Sequence, residues 1–300
     1  MMKCFAHHLA RHPSKGNYST TTMMILSVCK TFWNTKPYMR LSAGCHLSYA
    51  AIAPTPVILM LRPRSGWGQW VVKEEYVLTP SIPVVEYTDI YGNLCQRLVV
   101  PEGELEVNTT VEVEAPDQID ASPGAPFMPV QDLPDSVLQF LLPSRYCQAD
   151  RLGDLAIEVV ADAKPGYDQV EAIRRWIQES IRYEYGTSNP STSAVETAEN
   201  KAGVCRDFAH LGIALCRSLS IPARMVVGYL YQLDPMDLHA WFEAYIGDHW
   251  YTFDATQSER RGNRIAIAYG RDAADVALAT QFGSLDLKEM TVWVDAANGK

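Results

Sequence analysis

A proline-rich stretch, residues 116–135, divides this chain into two halves whose apolar residues repeat with different periods. It carries Pro116, Pro123, Gly124, Pro126, Pro129 and Pro134, residue types that interrupt helices and ladders alike. Before it, residues 39–115 read as strands. The runs 57–61, 70–72, 75–78 and 84–88 are rich in β-branched and aromatic residues, 89–93 is a turn, and 94–100 and 105–114 resume the pattern, the last with clear alternation. After it, helical spacing takes over. A block of short strands followed by mixed helix and strand predicts an α+β protein. The expected domains are a small antiparallel β-sandwich at 39–115, a linker at 116–135 and a second domain at 136–300.

In the second half, residues 153–163 and 167–181 carry apolar side chains at helical spacing. Val170, Ile173, Ile177 and Ile181 share one face with Trp176 beside them, and Asp168 is placed to cap the second helix. A loop at 186–193 leads to a third helix beginning at Cys205, with Phe208, Leu211, Leu215 and Leu219 on its buried side and Pro222 as its stop. Strands follow at 225–231, 239–246 and 249–255. The last two are joined at Gly247-Asp248, and Asp234-Pro235 marks an earlier turn.

The segments from Cys205 onward hold the chemistry. A cysteine on the first turn of a helix meets unpaired N–H groups and partial positive charge, which favour the nucleophilic thiolate. Gly203 lets the backbone turn tightly before it. Asp207 opposes the anion unless it pairs with Arg206 or caps the helix. A two-residue turn at Gly247-Asp248 sets Ile246 opposite His249, so odd residues of the first strand share a face with even residues of the second. His239 and Asp254 then lie on one face as diagonal neighbours, about 7–8 Å apart along the backbone, while Ala240, Phe242, Ala244, Tyr251 and Phe253 lie on the other. A carboxylate beside an imidazole orients the ring and stabilises its cation. Cys205, His239 and Asp254 are therefore the candidate catalytic residues. By contrast, Cys216 and His210 read as packing residues, and His249 as an exposed one. Cys205, His210, Cys216 and His239 lack the paired spacing of a zinc site, so no metal or cofactor is expected.

Composition narrows the class. The 35 Asp and Glu outnumber the 26 Lys and Arg, which argues against a nucleic-acid binder. Residues 1–73 nevertheless contain basic residues and no acid, and 1–38 read as a poorly ordered leader. The patch at 23–29 is short for a signal sequence and no apolar run reaches the length of a membrane span. The 7 cysteines are odd in number and contain no Cys-x-x-Cys, so a reducing, cytoplasmic setting is expected.

Four segments carry a resemblance to a known family: 202–210 (Ala-Gly-Val-Cys-Arg-Asp-Phe-Ala-His), 221–229 with Ile221-Pro222-Ala223-Arg224 and Val227-Gly228-Tyr229, 239–245 (His-Ala-Trp-Phe-Glu-Ala-Tyr) and 253–256 (Phe-Asp-Ala-Thr). Together they resemble the transglutaminase-like superfamily, papain-like enzymes with a Cys-His-Asp triad. Pro54-Thr55-Pro56, 61–64 and 87–93 resemble the β-rich N-terminal domain of its bacterial members. The resemblance implies a papain-like core with Cys205 as nucleophile, His239 as general base and acid, and Asp254 as orienting residue. It also implies acyl chemistry at amides of a protein or peptide substrate, by hydrolysis, deamidation or transfer to an amine. The calcium dependence of animal members has no matching acidic loop here. Tyr183 and Tyr185 are the candidates for a second oxyanion donor; 231–238, with Asp234-Pro235 and Asp237, reads as an ordinary connection between strands, with a lid over the site as the alternative. A binding scaffold on the same fold is the non-catalytic alternative.

Overall fold

The computed structural model describes residues 37–66 and 68–297; residues 1–36, which hold nearly all of the expected leader, lie outside them. The chain from Pro37 forms one compact unit. Its first half contains strands β1 (Tyr38–Ala51), β2 (Thr55–Arg62), β3 (Trp70–Thr79), β4 (Val84–Thr88), β5 (Leu94–Val100) and β6 (Gly103–Pro116). The runs at 70–72 and 75–78 belong to a single strand. β1 starts at Tyr38, and its inward side chains include Leu41, Ala43, Cys45 and Leu47, all buried. Small residues in β1 have a steric reason. A Cβ on Gly44 would stand 2.3 Å from the Trp293 ring and 2.1 Å from the Thr109 carbonyl oxygen.

The second half continues with α1 (Asp135–Leu138), α2 (Gly153–Val160), α3 (Tyr167–Ser180), β7 (Arg182–Tyr183), α4 (Ala194–Asn200), β8 (Ala202–Gly203), α5 (Cys205–Ser218) and β9 (Ala223–Leu230). It ends with β10 (His239–Ile246), β11 (His249–Phe253), β12 (Arg264–Gly270), β13 (Ala279–Gln281) and β14 (Leu285–Ala296). Twelve of the strands make three four-stranded antiparallel sheets, ordered β14-β1-β6-β3, β13-β2-β5-β4 and β11-β10-β9-β12, and β7 and β8 pair in parallel. This is the α+β class, with a β-rich N-terminal region.

Two expectations are corrected here. Residues 136–300 do not form a block of their own, because β13 and β14 join the sheets of the first half. β14 pairs along β1 from Leu41↔Ala296 to Ala51↔Leu285, and β13 pairs with β2. These two strands cover edges of β1 and β2 that would otherwise leave ladder groups open. The core is equally shared: Leu41, Val111, Val113 and Cys95 pack in the same buried cluster as Phe208, Leu211 and Phe242. The second correction concerns Asp168. It caps no helix; its Oδ1 accepts the Gly124 N–H at 2.9 Å, while Gly166 occupies the cap of α3. Together with Tyr167 N–H to the Ala125 oxygen at 3.0 Å, this bond pins the proline-rich segment against α3.

The helix faces follow their spacing. Val170, Ile173, Ile177 and Ile181 are buried from α3, and Phe208, Leu211 and Leu215 from α5. α5 stops at Ser218, ahead of Pro222, and Ser220 turns the chain with φ of 60°. The β10–β11 hairpin has the register derived from its turn, with Ile246↔His249, Ala244↔Tyr251 and Phe242↔Phe253. Gly247 and Asp248 both have positive φ, 54° and 70°, as a type I′ turn requires.

Candidate active site

Cys205 is the first residue of α5, half-buried, with Val204 at the cap. Asp207 closes that helix end. Its Oδ2 accepts the Val204 N–H at 2.9 Å, and its Oδ1 accepts Arg206 Nε at 3.1 Å and Nη2 at 2.8 Å. Arg206 also donates to the Asn189 carbonyl. Asp207 thus both caps the helix and pairs with Arg206, which offsets its charge near the thiol. Gly203 has a role beyond the tight turn. A Cβ there would lie 2.7 Å from the Asp207 Cβ, so a side chain would push the capping carboxylate out of place.

His239 opens β10 and is buried. Its Nε2–H donates to Asp254 Oδ2 at 2.7 Å. The ladder ends at Phe242↔Phe253, so the pair sits just past the last paired strand residues. Asp254 is held from its other oxygen: Oδ1 accepts the Thr256 N–H at 3.0 Å and the Thr256 hydroxyl at 2.7 Å. The His239 ring also interacts electrostatically with the Cys205 thiol. Of the three residues singled out in the sequence, His239 and Asp254 are in direct contact. Burial disfavours a charged His239 ring, but the Asp254 carboxylate, its hydrogen bond and the interaction with Cys205 outweigh burial and raise the ring to about 9. Burial likewise opposes ionisation of Asp254; Arg264, His239 and Thr256 override it and hold the carboxyl below its ordinary range.

Arg264, the first residue of β12, has no place in the sequence reading. Its Nη2 stands 2.8 Å from Asp254 Oδ2, and both side chains are almost fully buried. Its one sequence signal is a cation at the head of the apolar run 264–269, where a buried charge demands a partner.

Of the two tyrosines, Tyr183 is the one that interacts electrostatically with Cys205. Burial raises its phenol, and the charge of Cys205 raises it further. The ring packs edge-on against Tyr185 and Phe208, at centroid distances of 5.6 and 5.7 Å. A cavity of about 100 Å³ opens beside His239, lined by Tyr183, Tyr185, Asp234, Asp237 and Thr256. The segment 231–238 supplies one wall of it.

The other candidates are structural. His210 is buried against Tyr146, and its Nε2 accepts the Ala273 N–H at 3.1 Å. Cys216 is fully buried, which pushes its thiol up. His249 is exposed, 3.6 Å from Asp120. Among the described residues, no helix is long and apolar enough to cross a membrane.

Comparison with known proteins matches residues 153–255 to the family described as transglutaminase-like superfamily. Residues 49–115 match the family described as bacterial transglutaminase-like N-terminal region. A Mycobacterium leprae protein, ML0607, uncharacterized, is 30% identical over 235 residues, covering 72% of this chain and 82% of its own length. Rv2569c of Mycobacterium tuberculosis, also uncharacterized, is 26% identical over 254 residues, covering 72% of this chain and 77% of its own. A crystal structure from Cytophaga hutchinsonii, described as a "Putative Cysteine Protease", superposes with a TM-score of 0.81 at 38% identity. It covers 88% of this chain and 92% of its own.

Proposed function

This chain belongs to the transglutaminase-like superfamily, and from that premise we propose that it is a cysteine-dependent hydrolase of amide bonds in proteins or peptides, a protease or deamidase. One observation carries the reading: a buried imidazole is gripped by a carboxylate at 2.7 Å on one nitrogen, and the ring interacts electrostatically with a helix-terminal thiol.

In this reading His239 takes the Cys205 proton, and the imidazolium so formed is stabilised by Asp254. The thiolate attacks the carbonyl carbon, forming the C–S bond and a tetrahedral oxyanion. The Cys205 backbone N–H at the start of α5 and the Tyr183 hydroxyl are the donors for that oxyanion. His239 then protonates the leaving nitrogen as the C–N bond breaks, which leaves a thioester and a neutral ring. Water attacks the thioester with His239 as base, and the thiol is regenerated with a carboxylate product. An amine in place of water would give acyl transfer by the same steps; water, always present, makes hydrolysis the leading outcome. We place the reaction in the cytosol, where such a thiol stays reduced.

Thiol reactivity tests this directly. The folded protein is treated with limiting iodoacetamide at about pH 6, where an unperturbed thiol is nearly silent, and the label is mapped by mass spectrometry. Selective labelling of Cys205 that disappears in His239→Ala is the expected result. Labelling of Cys205 no faster than that of a free cysteine peptide would defeat the proposal and leave the scaffold alternative.

A further inference from the structure

Asp254 serves two cations at one oxygen. His239 Nε2 is 2.7 Å and Arg264 Nη2 2.8 Å from the same Oδ2, whereas Oδ1 is filled by Thr256. The two contacts differ in kind. His239 makes an aligned hydrogen bond, but neither Nη of Arg264 finds an aligned acceptor, so Arg264 acts on the carboxylate through its charge. The guanidinium is held independently: Nε donates to the Arg261 carbonyl at 2.9 Å, and the Trp241 ring lies beneath it at 5.0 Å. Trp241 is also the neighbour of the His239 ring, at 6.2 Å. A fixed positive charge is thereby anchored beside the carboxylate that grips the imidazole.

We propose that Arg264 is a positioning residue that shares Asp254 with His239 and limits how tightly the carboxylate holds the histidine's proton. The inference rests on the hydrolase reading for its functional meaning. His239 must keep a proton while Cys205 is a thiolate, then give it up and act as a base once Cys205 is acylated. An unopposed buried carboxylate would favour the first state and impede the second. A fixed cation at the same oxygen repels the imidazolium and shifts the balance toward the free ring.

Other charges surround the pair. Cys205 faces the ring from α5, and Asp237 lies before β10 and interacts with it. Tyr183 shares the cavity on the substrate side. Behind Asp254, a cavity of about 10 Å³, room for about one water, is bounded by Glu171 and Arg174 of α3 and by Glu259 and Arg260. Arg174 and Arg260 both approach Glu171, at 2.8 and 3.5 Å. Of these groups, Arg264 is the cation in contact with Asp254.

The test is an NMR titration of His239, assigned by its loss in His239→Ala, in the full chain before and after alkylation of Cys205. In Arg264→Gln the midpoint moves upward by about one unit, as expected when a like charge is removed from beside a titrating group. In Arg264→Lys, which keeps the charge, it stays at the wild-type value. A folded Arg264→Gln protein with an unmoved midpoint overturns the proposal. So does a shift of about a unit in Arg264→Lys, which keeps the test decisive if the Gln variant does not fold. Failure of Cys205 to react in a His239-dependent way would defeat the hydrolase reading alone, since the titration needs no turnover.

Discussion

The surroundings of His239 and of His210 bury two imidazoles almost equally and shift them in opposite directions. Both rings are shut off from solvent, 3% and 0% exposed. His239 is raised to about 9 and His210 is lowered to about 4. Burial pushes both rings downward, and a carboxylate is near both. The difference lies in what those carboxylates are free to do. Asp272, near His210, has one oxygen on the Tyr146 N–H at 2.8 Å and the other on the Ala274 N–H at 2.9 Å. Asp254 has one oxygen on Thr256 and offers the other to the ring. His210 is left to stack on Tyr146 with planes 7° apart and to accept a backbone N–H, contacts that suit a neutral ring. A buried histidine becomes a proton handle where a carboxylate oxygen is left to accept its N–H, even one shared with an arginine.

The largest expected effect breaks this contrast at the thiol. With His239→Ala, alkylation of Cys205 at about pH 6 falls about a hundredfold, because the base that takes the thiol proton is gone. With His210→Gln the rate stays at the wild-type value, although His210 sits on the same helix as Cys205. Equal losses in the two variants would mean that helix integrity, and not the His239–Asp254 pair, governs the thiol.

The next effect is on stability, and the two histidines act at opposite ends of the pH scale. His239 has its folded value raised to about 9, so its contribution is complete below about 6.5 and is lost as pH rises through about 9. For His210 the folded value is depressed to about 4. The unfolded chain binds its proton first, so stability present above about 6.5 is lost as pH falls toward 4. Each window is worth on the order of 3 kcal/mol. Urea unfolding from pH 4 to 9.5 checks both signs: His210→Gln flattens the acid limb only, and His239→Gln the alkaline limb only.

What could be read from the sequence is what is local. Cys205 at a helix start depends on its own neighbours, and the His239–Asp254 relation depends on turn length and strand parity over sixteen positions of one hairpin. Both survive in the fold because the register follows from Gly247-Asp248. Arg264 was hidden because its meaning lies in β12 reaching across β9 to the hairpin's end, a tertiary fact that spacing does not encode. The same holds for β14, whose partner β1 begins at the other end of the chain. Individual boundaries inside the strand-rich first half were also blurred where small residues replace β-branched ones, as in β1. Asp168 looked like a cap because a lone acid at a helix start usually is one; the Gly124 N–H competes for it instead.

The smallest effect separates the hairpin's fold from its chemistry. Gly247 and Asp248 sit at φ of 54° and 70°, and a β-branched residue in the left-handed region costs about 1–2 kcal/mol. Gly247→Val is thus expected to lower unfolding free energy by that amount. It should leave the His239 titration in place, because the Asp254 carboxylate is also held beyond the ladder by Thr256 and Arg264. A Gly247→Val protein that loses both stability and the raised His239 midpoint would show that the turn's register, and not the local grip on Asp254, sets the charge state of the ring.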